Sequence, residues 1–70
     1  MSESVYKLVE LVGSSTESWE KAAAAAVGKA RHTLRDLRIA EVTKLDMHLD
    51  DDGEVVAYRA RVSISFKMED

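Results

Sequence analysis

Asp46, Asp50, Asp51, Asp52 and Glu54 crowd one short stretch of the chain, and a hard divalent cation such as calcium is held by several carboxylate and carbonyl oxygens gathered in one place. They do not form an EF-hand, because the loop glycine and the closing glutamate miss the required offsets. Within one chain the plainer reading is an acidic hairpin that keeps a sheet edge soluble. Copies related by a symmetry axis could instead bring carboxylates from several chains into one site. A second group, Lys29, Arg31, Arg35 and Arg38, offers the donors that anchor a phosphate. Cations near a helix C-terminus also complement its dipole, which accounts for the same residues without a ligand. His32 and His48 lack metalloprotease spacing and read as solvated surface residues. Ser14, Ser15 and Ser18 are explained by helix capping, no nucleophile elbow surrounds any serine, and Gly13 reads as a lone turn residue. The chain is not expected to be an enzyme.

Composition narrows the field further. There is no cysteine, which removes thiol catalysis, cysteine zinc sites and disulfide staples. Ten Lys and Arg against thirteen Asp and Glu give a net charge of −3, so no overall positive field recommends a nucleic acid or an anionic membrane. No secretory or membrane-spanning stretch is visible, and a cytoplasmic location is expected. With 70 residues, residues 1–70 make one domain, of a size that usually needs a staple or partner copies.

Four elements must position these groups. Val5 to Val12 is rich in β-branched and aromatic residues and reads as a strand ending at Gly13. Ser14 or, by preference, Ser15 caps a helix over Thr16 to Asp36. Trp19, Ala22, Ala23, Ala26, Val27, Ala30, Leu34 and Leu37 form its apolar stripe. Trp19 on that stripe is a core or subunit contact. The stripe is mostly alanine, which lets the helix lie close on a sheet. Leu45, Met47 and Leu49 then alternate with polar residues, whereas Ala40 and Val42 lie in the opposite phase, so the second strand carries a bulge near Thr43. Asp50-Asp51-Asp52-Gly53 is a hairpin turn. The third strand places Val56, Tyr58, Ala60, Val62, Ile64, Phe66 and Met68 on one face, with Ala57, Arg59, Arg61, Ser63, Ser65 and Lys67 on the other. The result is an α+β domain, β-α-β-β, in which the third strand slots between the first two, antiparallel to both, as a split β-α-β.

The lengths do not match. A third strand of about 15 residues spans roughly 50 Å, whereas a helix of about 21 residues spans roughly 32 Å. Part of the apolar row, towards Phe66 and Met68 or beside the hairpin, is therefore expected to lie exposed in a monomer and to be covered by other copies.

The sequence also resembles the dodecins over nearly its whole length. Val5-Tyr6-Lys7 through Val12-Gly13-Ser14-Ser15 is similar to the family's opening strand and turn. Leu37 to Val42 is similar to its approach to the second strand, and Ser65-Phe66-Lys67-Met68-Glu69-Asp70 to its closing segment. The resemblance implies a hollow homododecamer that stores or binds a small ligand. Flavin-binding dodecins carry a Trp-Phe-Glu-Val run and a glutamine around the flavin ring. The corresponding residues here are Ile39-Ala40-Glu41-Val42 and Arg59, so the implied pocket for FMN or riboflavin, with Ile39, Glu41 and Arg59, is weakened by loss of the aromatic face. Ser18-Trp19-Glu20, Arg38-Ile39-Ala40, Asp46-Met47 and Ser65-Phe66-Lys67-Met68 resemble more closely a dodecin branch described as calcium-binding, which implies Ca2+ ligands at Asp46 and Asp50. The alternative is a structural or interaction module in which Lys29, Arg31 and Arg35 engage a partner protein or a phosphorylated metabolite such as coenzyme A.

Overall fold

The computed structural model describes residues 3–68; Glu69 and Asp70, the end of the closing segment noted above, lie outside the described residues. Strand β1 (Tyr6–Ser15) is followed by helix α1 (Trp19–Thr33) and by two long strands, β2 (Leu37–Leu49) and β3 (Val55–Lys67). The sheet order is β1-β3-β2, and β3 is antiparallel to both neighbours. This is the expected split β-α-β, with the crossover helix on one face.

Gly13 is not in a turn. It lies inside β1, paired with Ala60, and the strand runs on through Ser14 and Ser15, which pair with Arg59 and Tyr58, while the helix backbone crosses directly above Gly13. A Cβ built on Gly13 would lie 2.9 Å from the Ala22 carbonyl carbon and 3.2 Å from the Ala26 Cβ. The helix cap also falls later than expected. Ser18, not Ser15, is the N-cap, its side chain accepting from the Lys21 N–H and satisfying a donor that the first turn leaves unpaired. Ser15 Oγ instead accepts from the Glu17 N–H, so the serines share the turn and shorten the helix at its start. At the other end the chain leaves the helix at Leu34, and Asp36 takes a positive φ of 59°, a conformation Asp tolerates better than most residues.

Ala22, Ala26 and Ala30 are the buried face of α1, set against Ala60, Val62 and Ile64 of β3, with Val9, Leu11, Ala23, Val27, Leu34 and Leu37 at the margin. Small residues on the helix and β-branched ones on the strand make a thin, flat core. Three irregularities shape the β2–β3 hairpin. Thr43 is the extra residue of the expected bulge. Arg38 and Val56 are extra at the two ends, where no bulge was read from the sequence. Ala57 keeps phase with Arg59 and is buried, although it is not in the helix-facing cluster.

The mismatch of lengths is larger than expected. Fifteen helical residues cover roughly 22 Å, thirteen strand residues roughly 43 Å, and the molecule is 56 Å long by 20 and 15 Å. The helix lies over β1 and β3, so from Arg38 to Leu49 every residue of β2 is exposed. Gly53, at φ 80°, closes the turn as its sequence required.

Candidate functional site

The register of the hairpin sets Asp46 opposite Arg59 on the face of the sheet away from the helix. Arg59 Nε donates to Asp46 Oδ1 at 2.8 Å and Nη2 donates to Oδ2 at 3.0 Å, a two-pronged pairing that uses the planar geometry of both groups. The guanidinium holds the Asp46 carboxyl below the ordinary carboxylate range, and Arg61 adds to that effect while partial desolvation opposes it. Both side chains stay about half exposed.

From the opposite face, Trp19 Nε1 donates to the Asp46 carbonyl oxygen at 3.1 Å. The same indole meets the Tyr58 ring edge-on, with centroids 5.1 Å apart, an arrangement favoured by the ring quadrupoles. Residue 46 is thus held on both sides of the sheet. Beside it, Trp19, Glu20, Ala23, Val42 and Leu45 line an open groove of about 480 Å3 between the start of α1 and uncovered β2. Trp19 is therefore part of the junction between helix and sheet and also half exposed in that groove.

Asp50 serves the turn. Its Oδ1 accepts from the N–H groups of Asp52 and Glu54. It lies four residues from Asp46, roughly 13 Å along an extended strand, so the two carboxylates do not converge within one chain. Among the described residues no group of three or more His, Cys, Asp or Glu could hold a metal. The donor set of a single copy therefore does not fit a calcium cage, which wants six to eight oxygens.

Ile39 and Glu41 lie opposite Ser65 and Ser63 respectively. They are exposed on the helix-free face, and Ile39 is 68% accessible. Ser65 and Arg59 are six positions apart along β3, roughly 20 Å, so Ile39 and Arg59 cannot grip one ring within a single chain. Lys29 and Arg31 are exposed on α1, and residues two apart on a helix do not face each other. Arg35 lies beyond the helix end and lines a cleft of about 390 Å3 with Asp36, Phe66, Lys67 and Met68. Lys67 in that cleft was not singled out from the sequence, and neither was the Asp46–Arg59 pairing, which depends on register.

The dodecin family model matches residues 5–69. This chain belongs to the dodecin family. Calcium dodecin of Mycobacterium tuberculosis is 46% identical to it over 65 residues, covering 93% of this chain and 90% of that protein. The dodecin of Thermus thermophilus is 41% identical over 66 residues and covers 94% of each. A crystal structure of the M. tuberculosis calcium dodecin, described as a calcium-chelating antigen with a novel calcium-binding site, superimposes with a TM-score of 0.81 at 45% identity, covering 93% of this chain and 91% of that one. Among dodecins, then, the likeness runs towards the calcium branch, as the Ser18-Trp19-Glu20 and Asp46-Met47 segments suggested.

Proposed function

We propose that this dodecin is a non-enzymatic binding or storage protein that works as a hollow homododecamer and holds a divalent cation, calcium for preference, at junctions between its copies. The observation that carries the reading is the bare second strand together with the adjoining start of the third. Val42, Leu45, Met47 and Leu49 of β2 and Val55 and Val56 of β3 are all exposed on a domain whose single helix is too short to cover them, and such a patch is a contact surface. Assembly answers the donor problem as well, since carboxylates such as Asp46 and Asp50, insufficient in one chain, recur around each symmetry axis.

Light scattering tests the assembly. Twelve copies of a 7.8-kDa chain amount to about 94 kDa, and a stable monomer at dilute concentration refutes it. Calcium in excess of its dissociation constant raises the melting temperature by mass action, a chelator reverses the rise, and Asp46→Asn removes it. A melting curve indifferent to calcium and chelator refutes the cation reading. Flavin is the second ligand class, supported by the exposed Ile39 beside Glu41 and by a guanidinium at Arg59, which would meet the ring from different copies. Quenching of riboflavin fluorescence on titration tests it.

A further inference from the structure

Two like charges face each other across the sheet. The register sets Lys44 of β2 directly opposite Arg61 of β3, on the face away from the helix, since the neighbouring Val62 is the residue that packs against α1. Like charges directly opposite on adjacent strands destabilise a sheet. The arrangement depends on the bulge. Plain antiparallel counting from the Val42–Val62 pair would set the neutral Thr43 against Arg61, and the extra residue puts a lysine there instead. Thr43 Oγ1 donates to the Arg61 carbonyl oxygen at 3.2 Å, which anchors the bulge at this rung, and bulges re-aim side chains beside sites.

No acidic side chain neutralises the pair. Among the described residues the ion pairs are Lys21–Glu17 and Arg59–Asp46. On one side the Asp46 carboxylate already has both oxygens on Arg59, and Arg61 reaches it only through its field. On the other side Glu10 and Glu41 flank Ser63, one rung or roughly 7 Å along the strands, and neither is paired with Lys44 or Arg61. Lys44 is exposed and Arg61 half-buried. Val12, the β1 partner of Arg61, is 53% exposed and adds an apolar flank.

We propose that Lys44 and Arg61 form a binding site for a phosphate group, carried free or as a monoester of a small metabolite. The planar fork of Arg61 suits two phosphate oxygens, and the ammonium of Lys44 supplies a point charge for a third. A dianion between them converts the repulsion of the rung into attraction. A local rule broken without compensation inside the chain is the mark of a functional position. The site is separate from the helix-end cations Lys29, Arg31 and Arg35 and does not depend on the cation reading of Asp46.

The test is calorimetric titration of the assembled protein with inorganic phosphate and, separately, with phenyl phosphate, at constant ionic strength in chloride. Wild type is expected to bind, Lys44→Gln and Arg61→Gln each to bind roughly tenfold more weakly, and Arg31→Gln on the helix to bind as wild type does. Tighter binding of phenyl phosphate supports a monoester whose organic part lies on Val12, and equal binding supports free phosphate. Melting curves give a readout that a merely structural lysine would not move. Without phosphate, Lys44→Gln melts about 2 °C above wild type because the repulsion is relieved, and saturating phosphate reverses the order. Should Arg61→Gln fail to assemble, the exposed Lys44→Gln carries the comparison. Absence of phosphate binding in wild type, or equal phosphate affinity in wild type and Lys44→Gln, overturns the proposal. Lys44→Gln melting below wild type in phosphate-free buffer assigns the two cations to Glu10 and Glu41 and overturns it as well.

Discussion

Two glycine-to-alanine substitutions should move stability in opposite directions, because Gly13 and Gly28 meet different surroundings. At Gly13 the new methyl would overlap the Ala22 carbonyl oxygen and lie 2.9 Å from its carbon, and these are backbone atoms of a fully buried helical residue. No side chain can rotate aside. The helix must lift from β1 by about an ångström, loosening Ala22 and Ala26 against the strand cluster, and forced overpacking of this kind costs about 3 kcal/mol. Replacing glycine in a strand returns roughly 0.5–1 kcal/mol through the unfolded chain, which leaves about 2 kcal/mol of net loss. At about 4–8 °C per kcal/mol for a domain of this size, Gly13→Ala melts about 8–16 °C below wild type. Gly28 has nothing within 4 Å of its added Cβ, and it lies in the helix interior, where alanine is better by about 1 kcal/mol. Gly28→Ala therefore melts several degrees higher. The assay is a circular-dichroism melt of the three proteins at one protomer concentration, since oligomers melt in a concentration-dependent way. A Gly13→Ala protein melting within about 2 °C of wild type refutes the close-approach argument.

Other predictions follow from the caps and charges. Ser18→Ala removes the acceptor for the Lys21 N–H and should cost about 1 kcal/mol, read as a lower melting temperature, whereas Ser15→Ala, outside the cap, costs less. The Asp46 carboxyl is held below its ordinary value of 3.8 by Arg59, so its contribution is present above that value and is lost as pH falls through the lower, folded one. The melting temperature of wild type should therefore drop more steeply than that of Asp46→Asn below about pH 4; parallel curves from pH 7 to pH 3 refute this.

Much of the candidate site was visible in residue types but not in position. Asp46 and Arg59 both stood out in the sequence, for different ligands, yet their pairing could not be counted back from the hairpin turn. From the Asp50–Glu54 closure, plain antiparallel counting sets Asp46 opposite Tyr58. The extra residue at Val56 shifts the register by one and brings Arg59 into place, and Thr43 later shifts it back. Alternation around residues 40–47 betrayed the Thr43 bulge, because the apolar phase changes there. Nothing comparable marks Val56, since Val55, Val56 and Ala57 are all apolar and carry no phase. The cap is ambiguous in the sequence for a similar reason: three serines in five positions are equally good acceptors, and Ser18 is used because of where the chain rises from the sheet.

Local rules act over a few residues, and for that reason the amino-acid sequence by itself determined the four elements, the helix's alanine face, the Asp-Gly turn and the excess of strand over helix. A crossover helix and a tight hairpin leave β3 a slot on either side of β2, and the slot between β1 and β2, the one expected, is the one occupied. Tertiary structure decided what depends on two distant segments meeting. Gly13 became an inner strand residue because α1 passes within van der Waals range of it, and Asp46 came under the control of both Trp19 and Arg59 because the bulges set the register. Such contacts come from packing geometry, in which one inserted residue changes every partner beyond it, and no periodicity within either segment records them.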